Sequence, residues 1–236
     1  MKKPVVDYRK VRLSNITSPE YKHLLLIIGW IAYFIAYFLT ENLIPESVCH
    51  VIHTHMDDII PFNEWFIVFY VGWYVLVFGT LFYFLLYDIP AFSGTQKFII
   101  TVQVIGVLFY IFYPSVQHLR PEVMPRENVA TWLLARIYAA DTPTGVFPSM
   151  HVAYSLAVLS GWLKKKDAKI GFKIFVFLFV IGVCASVCFV KQHSFADIIC
   201  ALPVCLVGEI VAFGKSYWLP KFRKTPIPFA ETGNSQ

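Results

Sequence analysis

Charged residues are scarce in this 236-residue chain, and their scarcity excludes most soluble folds. Lys, Arg, Asp and Glu make up 15% of the residues, whereas 57% are hydrophobic and the mean hydropathy is +0.61. An ordinary soluble domain has about 25% charged residues. The net charge of +5 does not indicate a nucleic-acid partner, because the basic residues fall in short segments between apolar runs. The composition predicts an all-α, polytopic membrane protein whose surroundings are the lipid bilayer.

The chain also lacks the cysteine pattern of a disulfide framework or a zinc site, and it lacks the features of a cleaved signal peptide. Four of the five cysteines lie inside apolar runs, and only Cys49 lies in a polar segment. Cysteines in such positions are typical of small apolar filler. Residues 1–22 are polar and basic, so we expect the first apolar stretch to be a retained span rather than a leader.

Six apolar stretches are predicted to cross the membrane. They cover about residues 21–44, 63–86, 98–113, 148–163, 170–190 and 196–213. This division predicts a basic tail at residues 1–22, a six-span catalytic domain at residues 23–213 and a second tail at residues 214–236.

The basic residues are distributed unequally between the two sides that these spans define. All but four of the 20 Lys and Arg residues lie in the two tails or near the turns after the second and fourth spans. The exceptions are Arg120, Arg126, Arg136 and Lys191. Because cytoplasmic segments are enriched in Lys and Arg, both termini are predicted to be cytoplasmic.

Two short motifs at the mouths of apolar spans carry the candidate chemistry, and the predicted orientation puts both on the outer face. The first is the sequence PSMH at residues 148–151, and the second is KQHSFAD at residues 191–197. Helix positions four apart share a face, so Asp197 can orient the imidazole of His193. With His193 as nucleophile and His151 as general acid and base, the motifs form a candidate site for phosphoryl transfer.

A transferred phosphate needs hydrogen-bond donors for its charge. A helix that begins at Pro148 would present backbone N–H groups near Ser149 and Met150, together with the Ser149 hydroxyl. Arg120 would clamp phosphate oxygens with two N–H groups, and Lys191 would add a point charge. Because these groups meet the charge of the phosphate, neither a metal nor another cofactor is predicted.

These residues resemble the three-part signature of the type 2 phosphatidic acid phosphatase superfamily. Arg120-Pro121, the PSMH motif, and Ser186 with His193 and Asp197 follow the family's order, and the resemblance covers about residues 57–206. The superfamily includes lipid phosphatases, polyprenyl diphosphate phosphatases, vanadium haloperoxidases and, more distantly, sphingolipid head-group transferases. The resemblance implies that a lipid phosphate is the substrate of this chain and that its phosphate passes through the histidine at position 193.

Three positions depart from the family's pattern. Val187 stands where the family has an arginine, Tyr113 where it has a lysine, and Met150 where it has a glycine. Two phosphate-binding cations are therefore missing, and Lys191 is the nearest substitute. The KQH form of the third motif resembles the branch that includes inositolphosphoryl-ceramide synthases, which favours a transferase.

Three hypotheses about function follow. In the first, the chain hydrolyses phosphatidic acid or a polyprenyl phosphate or diphosphate at the outer face of a bacterial plasma membrane. In the second, the same residues pass a phospho-head-group to a lipid alcohol. In the third, the chain is a non-enzymatic lipid-phosphate carrier. Tyr113, Arg126 and Arg136 are further candidate contacts of the substrate, while the sequence indicates neither the lipid nor the oligomeric state.

A polar loop at residues 45–62 contains His50, His53, His55 and Asp57. Their spacing matches no standard zinc pattern, so the loop is interpreted as a solvated lid over the site. Asp57 is alternatively a candidate cap for the turn into the next span.

Overall fold

A computed structural model describes residues 3–224 as a bundle of helices. The helices are α1 (Ile28–Leu43), α2 (His55–Ile59), α3 (Ile67–Tyr87), α4 (Ile89–Phe112), α5 (Val129–Ala140), α6 (Met150–Lys164), α7 (Ile170–Phe189), α8 (Phe195–Phe213) and α9 (Leu219–Lys224). Two short strands, β1 (His50–Val51) and β2 (Ser115–Val116), pair in parallel. The all-α prediction is confirmed, whereas the end of the predicted second tail, residues 225–236, lies outside the described range.

Five helical segments are long and apolar enough to cross a membrane. They are Lys22–Leu43, Glu64–Tyr87, Ile89–Phe112, Ile170–Phe189 and Phe195–Phe222. The chain is therefore a multi-pass membrane protein by the length and composition of its helices. The remaining predicted span, the fourth in chain order, is α6, whose 15 residues extend about 22 Å, less than the roughly 30 Å of a hydrocarbon core.

Helix α6 lies at the centre of the bundle. It packs against α3, α4, α7 and α8, and Ala153, Ala157 and Val158 on it have no exposed surface. A helix enclosed by protein does not need the apolar surface that lipid contact requires, which explains its more polar composition.

The third predicted span began too late in the sequence. It was expected to start near residue 98, but α4 begins at Ile89, one residue after α3 ends at Tyr87 with Asp88 between them. Asp88 caps α4 by accepting a hydrogen bond from the Ala91 N–H at 3.1 Å, and Pro90 occupies the first turn, where a missing N–H does no harm. The proline thus lies at the start of a helix that begins nine residues before the predicted span.

The connection predicted at residues 114–147 also contains an unpredicted helix, α5. Asn128 caps it by accepting from the Thr131 N–H at 3.0 Å. Helix α5 has only 12 residues, and polar or charged side chains interrupt its apolar ones, so the sequence pattern did not predict a span there.

The two ends of the bundle differ in what they carry. One end, called the basal end, holds the N-terminal segment, the α3–α4 turn and the α6–α7 turn. There the Val5 N–H donates to the Leu86 carbonyl at 2.8 Å, and Lys165 forms ion pairs with Asp88 and Asp167 at 2.6 and 2.8 Å. The opposite end, called the site end, holds α2, β1 and β2, α5 and the α7–α8 turn.

The tight packing of α6 generates a prediction at Gly161. A Cβ atom there would lie 2.5 Å from Thr95 Oγ1 and 2.9 Å from the Phe84 ring. We expect Gly161→Ala to lower the free energy of unfolding by about 1–3 kcal/mol, seen as a lower apparent Tm in detergent. The matched control is Gly79→Ala in α3, where no described atom lies within 4 Å of the added methyl, so the Tm should stay level or rise. Equal losses in both variants would contradict the close approach at α6.

Candidate active site

The three predicted catalytic side chains form one hydrogen-bonded chain at the site end. His193 Nδ1 lies 3.0 Å from Asp197 Oδ2, and His193 Nε2 lies 3.2 Å from His151 Nδ1. Asp197 is fully buried and His193 is 7% exposed. His193 and Asp197 come from the α7–α8 turn and the first turn of α8, whereas His151 comes from the first turn of α6.

The direction of these hydrogen bonds follows from the carboxylate. An ionised carboxylate only accepts, so His193 Nδ1–H donates its hydrogen bond to Asp197, and Nε2 of the neutral ring keeps a lone pair. That lone pair accepts from the Nδ1–H of His151. The arrangement therefore holds His193 in the tautomer that a nitrogen nucleophile requires.

The sequence SFAD builds this geometry locally. Ser194 and Asp197 form a capping box at the start of α8, in which the Asp197 carboxylate accepts from the Ser194 N–H at 3.0 Å. The oxygen that caps the helix is Oδ2, which also orients His193. The start of α8 and the tautomer of the nucleophile thus depend on one atom.

The turn before His193 is a Schellman motif with a lysine in the position that glycine usually takes. Lys191 has a φ of +53°, its N–H donates to the Cys188 carbonyl at 3.1 Å, and the Gln192 N–H donates to the Val187 carbonyl at 2.9 Å. Val187, the residue in place of the family's arginine, is fully buried. Backbone hydrogen bonds within the turn therefore set the direction of the chain just before His193.

Neighbouring segments bind the outer surface of this turn. The Tyr138 hydroxyl of α5 donates to the Val190 carbonyl at 2.5 Å, and Gln117 Nε2 donates to the Lys191 carbonyl at 3.2 Å. The unpredicted helix α5 is thus part of the support of the site.

Asp57 belongs to the candidate site, although the sequence predicted it only as part of the polar loop or as a cap for the turn into the next span. Its Oδ2 accepts from the Ser194 hydroxyl at 2.6 Å and its Oδ1 from the Phe195 N–H at 2.7 Å, so it binds the start of α8. The same carboxylate accepts from the Thr54 N–H at 2.7 Å and completes a capping box on α2. Residues 54–60 are therefore fixed to the catalytic turn. The sequence signal for this role was the T-x-x-D spacing of Thr54 and Asp57.

Lys191 was predicted to bind phosphate, but its ammonium group is used elsewhere. Nζ donates to the backbone carbonyls of Asp57 at 2.8 Å and Ile60 at 2.6 Å. The structure therefore brings this side chain to α2 rather than to the two histidines.

Arg120 is close to the site, but most of its donors are occupied. Its guanidinium donates to the carbonyls of Tyr138, Asp141 and Thr142 at 3.3, 2.7 and 3.1 Å. It also donates to Gln192 Oε1 at 2.5 Å. Arg120 therefore joins the end of α5 to the residue before His193.

The remaining predicted phosphate ligands lie at the start of α6. Ser149 is fully buried, its hydroxyl caps the helix by accepting from the Val152 N–H at 3.5 Å, and its N–H donates to the Asp197 carbonyl at 3.1 Å. Met150 is buried and faces the cavity described below. Ser149 thus joins α6 to α8, and its own N–H is not available to an anion.

The three candidate substrate contacts lie away from the histidine pair. Tyr113 stacks on His50 with ring centroids 4.2 Å apart, and Arg136 lies over the Trp132 ring at 5.3 Å. Arg126 forms a bidentate ion pair with Glu64 at 2.7 and 2.5 Å. None of the three lines the cavity at the histidines.

A cavity of about 200 Å³ adjoins the histidine pair. His151 and His193 lie in its wall, and most of the remaining wall consists of aromatic rings from α1, α3, α4 and α6. Examples are Trp30, Phe34, Tyr37, Tyr74, Phe78 and Tyr154. Phe34, Tyr74 and Phe78 are also exposed on the outside of the bundle, so the cavity opens sideways between α1 and α3.

The charge of this cavity is unusual for a phosphate site. Asp141 contributes a carboxylate to the wall, and within residues 3–224 no Lys or Arg side chain lines it. Burial raises the pKa of Asp141 above its ordinary value, and the Arg120 guanidinium, 3.6 Å away, opposes that rise. Among the described residues, the wall can thus offer a phosphate histidines, hydroxyls and amide groups, but no Lys or Arg side chain.

The loop with three histidines shows no metal-binding geometry. His50 stacks on Tyr113, while His53 Nε2 lies 2.8 Å from Asp58 Oδ1. In the part of the chain that the structure describes, no group of three or more His, Cys, Asp or Glu side chains is placed to hold a metal ion.

We compared the chain with models of protein families, with curated proteins and with solved structures, and none of these comparisons found a match.

The hydrogen bonds of Asp57 predict a pH-dependent contribution to stability. Burial alone would raise the pKa of this carboxyl, but the bonds from Ser194, the Phe195 N–H and Thr54 outweigh burial and hold the pKa below its ordinary value of 3.8. A lowered folded-state pKa means that the stabilisation is complete above the unfolded-state pKa and is lost as pH falls through the folded-state pKa.

We therefore expect Asp57→Asn to lower the apparent Tm near pH 7, with a loss of about 1–3 kcal/mol. The difference from the unmodified chain should shrink as the pH is taken towards about 3, because protonated aspartate resembles asparagine. Asp58→Asn is the matched control, since the Asp58 side chain is exposed and its carboxylate pairs with His53 rather than with the start of α8. A Tm difference that stays constant over the titration would refute the ionised role of Asp57.

The left-handed backbone at Lys191 generates a second prediction. Lys191→Ala and Lys191→Gly both lose the ammonium bonds to α2, but only glycine adopts a φ of +53° without strain. The glycine variant should be more stable than the alanine variant by about 1 kcal/mol, measured as a higher apparent Tm. Identical melting of the two variants would mean that the turn relaxes to another conformation.

Proposed function

We propose that this chain is an integral-membrane enzyme that hydrolyses a lipid phosphate through a phosphohistidine at His193. The substrate class is phosphatidic acid or a polyprenyl phosphate or diphosphate. The observation that carries the proposal is the Asp197–His193–His151 chain beside a cavity that opens towards the lipid.

The chemical steps balance with these three side chains. His193 Nε2 attacks phosphorus and the bond to the leaving oxygen breaks. His151 enters this step as an imidazolium with both ring nitrogens protonated, gives its Nδ1 proton to that oxygen and becomes a neutral imidazole. Asp197 holds the other nitrogen of the charged His193 ring throughout. A water molecule then attacks phosphorus and gives a proton to His151, and the P–N bond breaks to release phosphate.

Substrate binding must break the hydrogen bond between the two histidines. A separation of 3.2 Å between His193 Nε2 and His151 Nδ1 leaves no space for a phosphoryl group between them. The centroid of the His151 ring lies 4.7 Å from that of Tyr70 and 4.6 Å from that of Trp73. The backbone carbonyl of His151 also accepts a hydrogen bond from Trp73 Nε1 at 3.0 Å. The two rings are thus held on separate supports, so they can part without disturbing Asp197.

The direction of the cavity supports a lipid as the substrate. Its opening between α1 and α3 faces the surroundings of two candidate spans, where an acyl or prenyl chain would lie. Aromatic rings offer such a chain apolar contact and leave the phosphate to meet the histidines.

The proposed topology has six spans, with both termini in the cytoplasm and the site on the outer face of a bacterial plasma membrane. Its support is the accumulation of Lys and Arg in the N-terminal segment and around the turns of the basal end, opposite the histidines. In this topology α6 serves as the fourth, shorter crossing.

Head-group transfer is the second candidate function, and one observation favours it. A phosphodiester has one negative charge, whereas a phosphomonoester has up to two, and the described wall offers no Lys or Arg and includes Asp141. A diester therefore meets less repulsion in this cavity. In this reaction the phospho-head-group would rest on His193, and a lipid alcohol would replace water as the acceptor.

The test is phosphate release by the detergent-purified full chain from phosphatidic acid, phosphatidylglycerol phosphate, polyprenyl phosphate and polyprenyl diphosphate, with chelator present. We expect chelator-resistant release that falls by about 10³-fold or more in His193→Ala. His53→Ala is the matched control, because His53 is exposed and lies outside the cavity wall, and it should keep full activity.

The other outcomes of this panel decide between the hypotheses. Absence of release, together with His193-dependent exchange of head groups between phosphodiester lipids and an added lipid alcohol, would favour the transferase. If neither reaction is detected, and the unmodified chain and His193→Ala bind lipid phosphate equally, the non-enzymatic carrier is the remaining hypothesis.

A further inference from the structure

Gln192 lies between Arg120 and the proposed nucleophile, and the sequence reading assigned it no role. Its side chain is 2% exposed and lines the cavity beside His193. Its Oε1 accepts a hydrogen bond from Arg120 Nη2 at 2.5 Å. Its Nε2 is buried and has no hydrogen-bond partner within residues 3–224.

Arg120 fixes which end of this amide faces the cavity. A guanidinium has donors only, so the amide oxygen must point towards Arg120 and the NH₂ group must point away from it. The guanidinium is itself held by three backbone carbonyls and by the Tyr138 ring, 4.8 Å below it. The Gln192 backbone is held in the Schellman turn. The amide therefore cannot flip without breaking its bond to Arg120.

An unpartnered buried donor is expensive to maintain. Leaving such a group without a hydrogen bond costs about 1–3 kcal/mol, and the chain places it beside a candidate nucleophile. The same wall offers a phosphate no Lys or Arg among the described residues. A donor that is fixed in direction and has no partner among the described residues is what a transferred phosphoryl group would require there.

We infer that Gln192 Nε2 donates a hydrogen bond to a non-bridging oxygen of the phosphoryl group while it is transferred to and from His193, and that Arg120 is the positioning residue for this amide. The inference rests on the proposed phosphohistidine chemistry and deepens it. It replaces the expected direct contact between Arg120 and phosphate with a contact through a neutral group. A neutral donor adds no charge to the cavity, which suits a singly charged phosphate.

Gln192→Glu is the decisive variant. It keeps an oxygen for Arg120, so the fold should hold or gain stability, but it replaces the NH₂ donor with an oxygen that repels phosphate. We expect the apparent Tm to be unchanged or higher while kcat falls by about 10²-fold, on the substrate that the unmodified chain turns over best. The KM should change much less, because the donor acts mainly on the charge of the transition state.

Orthovanadate provides a second readout, as an analogue of the phosphoryl-transfer transition state. Its inhibition constant should rise by about 10²-fold in Gln192→Glu. A purely structural role for Gln192 predicts instead that loss of activity follows loss of Tm. Full kcat together with an unchanged vanadate constant in Gln192→Glu would overturn the inference.

The positioning role of Arg120 is tested by a double-mutant cycle. Arg120→Lys should lower kcat, because an ammonium group cannot bind three carbonyls and one amide in the same plane. Added to Gln192→Glu, it should cause little further loss, since the donor that Arg120 aims is already gone. Fully additive losses would show that Arg120 acts independently of the amide.

His193→Ala, measured beside these variants, distinguishes the role of Gln192 from the proposed phosphohistidine chemistry. Activity that is lost in His193→Ala but retained in Gln192→Glu would reject the role of Gln192 and leave the phosphohistidine. Activity that persists in His193→Ala, or a complete lack of turnover in the unmodified chain, would reject both.

Discussion

Asp197 Oδ2 is the atom on which the site depends, because it accepts two hydrogen bonds that belong to different levels of the structure. The bond from the Ser194 N–H begins α8, and the bond from His193 Nδ1 sets the tautomer of the proposed nucleophile. Around this atom, Asp57 holds the start of α8 from outside and Ser149 ties α6 to the Asp197 carbonyl. The geometry of the histidine pair is therefore a consequence of how two helices begin.

Three cations at the site end act as structural links. Lys191 joins the α7–α8 turn to α2, Arg120 joins this turn to the end of α5, and Arg126 pairs with the buried Glu64. In a setting with little water, each donor that remains unpaired has a high cost, so long basic side chains are drawn to the carbonyls exposed at helix ends. The result is a rigid frame around a cavity whose own wall has few charges.

The sequence predicted those features that depend on local spacing. The i, i+4 relation placed Asp197 beside His193, and five of the apolar stretches fall on membrane-length helices, although the third was predicted to begin nine residues too late. Side-chain direction was not predictable in the same way. Lys191 directly precedes Gln192 in the chain, yet its side chain points to α2, because Asp57 and Ile60 present backbone carbonyls there. The residues around Lys191 do not encode this direction. The start of the third span was predicted too late for a related reason, since a proline such as Pro90 is compatible with both the end of one helix and the start of the next.

The shortness of α6 has a consequence for the depth of the chemistry. Its basal end carries Lys164 and Lys165, which are held by Glu209 and Asp88, so that end belongs near a membrane boundary. Measured from that end, a helix of about 22 Å reaches to roughly 8 Å short of the far side of a 30 Å hydrocarbon layer. In the proposed topology, His151, in the first turn of α6, would therefore lie beneath the level of the opposite head groups. Under the proposed function, a lipid phosphate would have to sink below its neighbours in the leaflet to reach His151, and bilayer thickness would set how far it has to descend.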